Sequence, residues 1–279
     1  MTDAPHGLMA IFAHPDDETF STGGTLALAA EQGARVEVVC ATNGDEGGEG
    51  ADGGDHAMDP GIRLAELRAA CAALGIEPPV FLGYHDSGME GWGPKPGSLA
   101  LADPDEAIER IAAEIRRFKP SVIVTFDPGG IYGHPDHVAI SNLASSAFRL
   151  TAGAPGGPLA LYHSAIQRSH VPEMGRMMEE GARLSGAPAR EPTADDLAQQ
   201  RKFVELARPD EDFTTHIDVR PVVGRKVAAL AAHASQTRGM GVDGGLPEMI
   251  DQMLGDEWFI RVVPEPVPGE PLETMVGPI

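Results

Sequence analysis

Four times in the first half of the chain, a short apolar run of strand length is followed by a segment of helical character. That alternation limits the fold more than any other feature. Leu8 to Ala13, Arg35 to Ala41, Val80 to Leu82 and Ser121 to Phe126 read as buried strands, largely aliphatic and too short for helices. Thr22 to Gln32, Ile62 to Leu74, Pro104 to Phe118 and Pro135 to Phe148 read as helices. Gly33 and Gly75 stand where C-cap glycines belong, and Asp103 is placed to cap a helix that has Pro104 at its first position. Strand–helix alternation implies parallel strands joined by right-handed crossovers. The expected fold class is therefore α/β, a Rossmann-like, mostly parallel sheet with helices on both faces. Sheets of this kind bind ligands beyond the carboxyl ends of their strands.

Past residue 150 the pattern weakens. Leu159 to Tyr162 and His216 to Val219 are short strand candidates; Pro172 to Leu184, Leu197 to Leu206 and Pro221 to Ala234 are helical ones. Met174, Met177 and Met178 sit at helical spacing, which reads as core packing. Two Gly-rich stretches, Asn43 to Asp59 and residues 83–103, lack apolar anchors; the first reads as a mobile loop. The tail from Pro264 carries Pro266, Pro268, Pro271 and Pro278 and should run extended. A single domain over residues 1–279 is expected, with a core at 1–150, completing elements at 151–263 and the tail at 264–279.

Composition excludes several partners. The formal net charge of -21 would repel nucleic acid and anionic membranes, and it disfavours a polyanionic substrate. The two cysteines, Cys40 and Cys71, lie in apolar surroundings and read as reduced core residues. No basic leader precedes the short apolar run at Leu8, so a cytoplasmic location is expected.

Chemistry-bearing side chains concentrate in Ala13-His14-Pro15-Asp16-Asp17-Glu18 and in Tyr132-Gly133-His134-Pro135-Asp136-His137, each directly after a strand. A hydrolytic zinc site needs three protein ligands from the His, Asp and Glu set and one open position. His14 and Asp17 are three apart across a first helical turn, and so are His134 and His137, so each pair can share one face. Taken alone, either segment has a plainer explanation, since Asp16 or Asp17 would also serve as a helix cap. Two such segments at neighbouring strand ends favour a metal centre.

The paired motifs resemble the LmbE/PIG-L family of zinc N-deacetylases, well over the first 150 residues and loosely beyond. The resemblance implies metal ligands at His14, Asp17 and His137, and a general base at Asp16. It implies that His134 stabilises the oxyanion or, in charged form, protonates the leaving amine, that Asp136 orients His134, and that Tyr132 polarises the amide carbonyl. Arg63 and Asp86, the latter in Tyr84-His85-Asp86-Ser87-Gly88-Met89, match sugar-contacting residues of the mycothiol-pathway members. The turn His233-Ala-Ser-Gln236 resembles a late family signature with no role read for it. His56, His85, His163, His170 and His216 read as structural.

The implied reaction is removal of the N-acetyl group from a small molecule containing N-acetylglucosamine. Water activated by zinc attacks the amide, and ferrous iron is acceptable to the same donors. Mycothiol- or bacillithiol-type substrates are the nearest match. Two alternatives stay open at this stage, a metal- or sugar-binding module without catalysis and an amidase acting on a thiol-sugar conjugate. A nucleotide site is disfavoured, because carboxylates occupy the place of a glycine-rich phosphate loop. The tail is also a candidate for packing against a second copy in a homo-oligomer.

Overall fold

The computed structural model describes residues 7–48, 57–91, 93–176, 194–237 and 254–277. Its centre is a seven-stranded sheet of order β3-β2-β1-β4-β5-β7-β6. Strands β1 (Gly7–Phe12), β2 (Arg35–Thr42), β3 (Val80–Tyr84), β4 (Val122–Phe126) and β5 (Ala160–Ser164) run parallel. Strands β6 (Thr215–Asp218) and β7 (Asp256–Val263) close one edge antiparallel. Every residue of β1 is buried, as expected of a strand covered on both faces.

Helices α1 (Asp17–Glu31), α2 (Pro60–Leu74) and α7 (Val223–Ala232) pack together on one face, and α3 (Pro104–Phe118) and α5 (Pro135–Thr151) on the other. A kinked turn α4 (Gly130–Gly133) precedes α5, α6 (Ala194–Leu206) lies against α4, and α8 (Ala234–Thr237) ends the α7 region. Asp103 caps α3 as expected, accepting from the N–H groups of Asp105 and Glu106. Cys40 and Cys71 are both free and buried.

Strand order reverses between β1 and β4. The chain goes outward through β2 and β3 on one side of β1, then returns to start β4 on its other side. Both chemistry-bearing motifs therefore leave adjacent strands at the topological switch point, where open α/β sheets place their ligands.

Three expectations need correction. Helix α1 begins at Asp17, five residues before Thr22, because its first turn is acidic and its buried face there is polar, made by Glu18, Thr19 and Thr22. Strand β7 was not expected at all: its inward residues are Glu257, Phe259 and Arg261, so charge masks the alternation. Helix α7 starts at Val223, after a single 3-10 turn over Arg220–Val222. Of the Pro172 helix, residues up to 176 are helical, and the rest, with Met177 and Met178, lies outside the described residues.

Two charged side chains are used structurally inside the core. Glu257 accepts from Gly24 N, from Thr25 N and Oγ1 and from the ammonium of the buried Lys226, all within 2.8 Å, locking α1 to β7 and α7. The tail is non-helical, as expected. It folds back on its own sheet, where Glu273 exchanges backbone hydrogen bonds with Thr214 and His216. No helix among the described residues is long and apolar enough to cross a membrane.

Candidate metal and active site

His14 follows β1 and His137 lies in the first turn of α5, yet His14 Nδ1 and His137 Nε2 face each other at 3.1 Å. Asp17 joins them, with Oδ2 3.5 Å from His14 Nδ1 and Oδ1 3.3 Å from His137 Nε2. Donors around a tetrahedral ion at about 2.0–2.2 Å would lie roughly 3.4 Å apart, so this spacing fits a small divalent cation. The His137 ring stacks on Phe126 with centroids 4.2 Å apart, which fixes its plane from the end of β4. A wider grouping puts donor atoms of His14, His134 and His137 within 4.8 Å of one another. In that grouping His134 is the weaker donor, because its Nδ1 already accepts the Asp136 N–H at 3.1 Å to cap α5.

The electrostatics suit cation binding. Burial opposes a charge on His14, but the carboxylates of Asp86, Asp136 and Asp17 outweigh it and hold its pKa well above the ordinary value. Asp17 is held well below the carboxylate range, the facing His137 and His14 overcoming its burial. An acidic chamber that draws protons onto its imidazoles also draws a metal ion.

The other nitrogen of His14 is equally committed. Its Nε2 lies 3.3 Å from Asp136 Oδ2 and 3.5 Å from Asp86 Oδ1. Asp136 is fully buried and also accepts the Ser87 N–H at 2.8 Å and the Ser87 hydroxyl. The Asp136 carboxylate, expected to orient His134, is hydrogen-bonded here to His14, while the Asp136 backbone N–H meets His134. Helix geometry is the cause, since residues at the Pro135 turn point their backbone donors at the cap and their side chains elsewhere.

Burial, with the neighbouring His14 and His137, pushes His134 down to about 3. His134 is neutral in this arrangement, with Nδ1 accepting and Nε2 left to carry the proton. The expected charged form is not what this environment favours. Tyr132 packs edge-on against His137, centroids 4.9 Å apart, and its hydroxyl is raised above the usual phenol range by burial.

Asp16 has an unusual backbone, φ 147° and ψ -29°, where non-glycine residues are rare. Such a conformation costs about 1–3 kcal/mol and persists only where neighbours over-determine it. Burial raises its carboxyl to about 6, against the pull of Arg63. The Arg63 guanidinium donates to Pro15 O at 2.9 Å and Gly44 O at 3.2 Å and lies 3.1 Å from Asp16 Oδ2. It fits between Gly44 and Gly47, where any Cβ would come within 2.5 Å of it.

Arg63 and Asp86 were expected to contact sugar. Here Arg63 is bound to the wall of the site, and Asp86 accepts the Gly88 N–H at 2.9 Å while facing His14. Both are buried to the same degree as His14, His134 and His137. Sequence reasoning missed Ser87 and Glu18 as site builders. Glu18 is fully buried, accepts the Asp16 N–H at 3.1 Å and pairs with His233 at 2.8 Å. A buried acid directly beside two others was the available signal. His85 and His216 meet Asp45 and Asp256, and His163 meets Ser145, as structural residues would. His56 lies outside the described residues.

Similarity to known proteins identifies the family. Residues 9–148 match the family model described as PIG-L: GlcNAc-PI de-N-acetylase. A 1D-myo-inositol 2-acetamido-2-deoxy-alpha-D-glucopyranoside deacetylase of Rhodococcus erythropolis is 39% identical over 85% of this chain and 83% of its own length. The enzyme of the same name from Acidothermus cellulolyticus is 38% identical over 91% of this chain and 87% of its own. Among solved structures, the 4-carboxy-2-hydroxymuconate hydratase of Pseudomonas putida superposes with TM-score 0.59 at 21% identity, covering 95% of this chain and 99% of that one. That likeness carries the fold alone, because one fold hosts different reactions. With the family match and the near relatives in agreement, the chain belongs to the PIG-L family of de-N-acetylases and is an enzyme of the N-deacetylase class.

Proposed function

We propose that this protein is a zinc-dependent hydrolase that removes the acetyl group from an N-acetylglucosamine unit of a small neutral glycoside. The observation that carries the reading is the meeting of His14 Nδ1, Asp17 and His137 Nε2 within 3.1–3.5 Å of one another, with Asp16 beside them. Those three residues would hold the ion. When bound, zinc would act as a Lewis acid on the amide carbonyl and lower the pKa of water from about 15.7 to about 7.

The chain supplies the rest. Asp16 Oδ2 is engaged by Arg63, which leaves Oδ1 to take the proton of the attacking water. A carboxyl raised to about 6 can accept that proton near neutral pH and then return it to the departing amine. The Tyr132 hydroxyl and the Nε2–H of neutral His134 would face the developing oxyanion, where preorganised donors give the largest electrostatic benefit.

The near relatives are named for a neutral inositol glycoside, while the family name carries a phosphoinositide. A net charge of -21 favours the neutral molecule over a lipid at an anionic surface. A binding module without catalysis would have no use for a strained, buried Asp16, so the catalytic reading is preferred.

The test is acetate release from the inositol glycoside, from N-acetylglucosamine and from its thiol conjugates, with and without chelator. Release from the inositol glycoside that stops on chelation and returns with zinc is expected. No release from any of them by metal-loaded protein sinks the proposal.

A further inference from the structure

The turn His233-Ala-Ser-Gln236 supplies no donor to the metal centre, yet its three polar side chains all reach the wall around Asp16. His233, the C-cap of α7, is fully buried and meets Glu18 Oε1 from Nε2 at 2.8 Å, across 215 residues of sequence. Ser235 gives its backbone N–H and its hydroxyl to the Glu66 carboxylate at 2.8 and 2.6 Å. Glu66 lies on α2, three residues beyond Arg63. Gln236 donates to Gly47 O at 3.1 Å, and Gly47 is one of the two glycines against which the Arg63 guanidinium rests.

These contacts reach Asp16 by two routes. Glu18 Oε2 accepts the Asp16 N–H at 3.1 Å, and Arg63 lies 3.1 Å from the Asp16 carboxylate. Both ends of a residue held at φ 147° are therefore secured by groups that this one turn braces. Left to itself, an L-residue there would relax to negative φ and swing its carboxylate away.

We propose that the His233–Gln236 turn positions Asp16, holding its backbone through Glu18 and its carboxylate through the seat of Arg63. The turn is a positioning element and touches neither substrate nor ion. Calling its consequence catalytic rests on the deacetylase reading; the claim about the Asp16 conformation does not. What His233 must supply is an N–H at the Nε2 position, which the amide of glutamine can also present.

The experiment compares His233→Ala, His233→Gln and Gln236→Ala with the parent enzyme, reading steady-state kinetics, zinc affinity by chelator competition, and crystal structures. His233→Ala should lower kcat about 100-fold, the usual cost of misplacing a reacting group by about 1 Å. KM and zinc affinity should stay within about twofold, since the loss falls on the transition state alone. His233→Gln should recover most of kcat, and the alanine variant should show Asp16 away from φ 147° and separated from Arg63. An unchanged kcat, an unmoved Asp16, or zinc affinity falling in step with kcat would each overturn the proposal. Should His233→Ala fail to fold, Gln236→Ala carries the same test through Arg63. If the parent enzyme releases no acetate, the deacetylase reading fails, and the position of Asp16 in the variants still decides this one.

Discussion

Asp136 Oδ2 lies 3.3 Å from His14 Nε2, on the opposite edge of the imidazole from the nitrogen that faces His137. With an ion bound, the contact would favour the His14 tautomer that keeps its proton toward the carboxylate and turns its lone pair to the centre of the site. Carboxylate–imidazole–metal arrangements of this kind orient the ligand and raise its basicity.

Replacing Asp136 with Asn should therefore weaken zinc binding by about 10–100-fold, with a smaller loss for Ser87→Ala. Competition against a chelator of known affinity measures both. If Asp136→Asn binds zinc normally and loses only turnover, the carboxylate serves His134 or the substrate instead.

Asp16→Asn removes the proposed proton acceptor and leaves the three donors in place. Zinc content should be retained while kcat falls about 10²–10⁴-fold. Full activity with zinc bound would show that another group takes the proton.

Much of this site was legible in the sequence, because its parts are contiguous: His14, Asp16 and Asp17 fall within four residues, as do His134, Asp136 and His137. The central strands were equally plain, since burial on both faces makes them continuous apolar runs. Contacts that cross the fold were not readable. Asp136 meets Ser87 across 49 residues and Glu18 meets His233 across 215, and neither spacing leaves a local pattern. Strand β7 escaped notice for a related reason: Glu257 and Arg261 face inward and find their partners outside the strand, on α7 and in the tail.

Two adjacent glycines in α1 should respond to alanine in opposite directions. A Cβ on Gly24 would lie 2.4 Å from Val219 Cβ, a branched side chain without room to retreat, so Gly24→Ala should destabilise by about 1–3 kcal/mol. A Cβ on Gly23 would meet nothing nearer than 3.4 Å, so Gly23→Ala should gain up to about 1 kcal/mol of helix propensity. Urea denaturation of the two variants separates them, and a shared sign would contradict the packing of α1 on Val219.

His163, on β5, gives a pH dependence. Burial, with the charges of Arg208 and Arg149, pushes it down to about 4 from an ordinary 6.5. Between those values the unfolded chain binds a proton that the native protein refuses, so stability falls as pH drops from about 6.5 to about 4 and the loss levels off below. The contribution is on the order of 3 kcal/mol at full development. Thermal midpoints across that range should decline more steeply in the parent than in His163→Gln, and parallel curves would show that His163 titrates normally.

The neighbouring placement of β1 and β4 sets up a division of labour. The groups proposed to grip the ion and cleave the amide hang mainly from two adjoining strand ends in the middle of the sheet, where the backbone has least freedom to drift. The described parts of the connections after β2, after β3 and between β5 and β6 meet that hub through Gly47, Asp86 and Lys202. Substrate range can then evolve by exchanging peripheral loops while the hydrolytic hub is inherited intact, and grafting those loops from a relative of different selectivity should carry the selectivity with them.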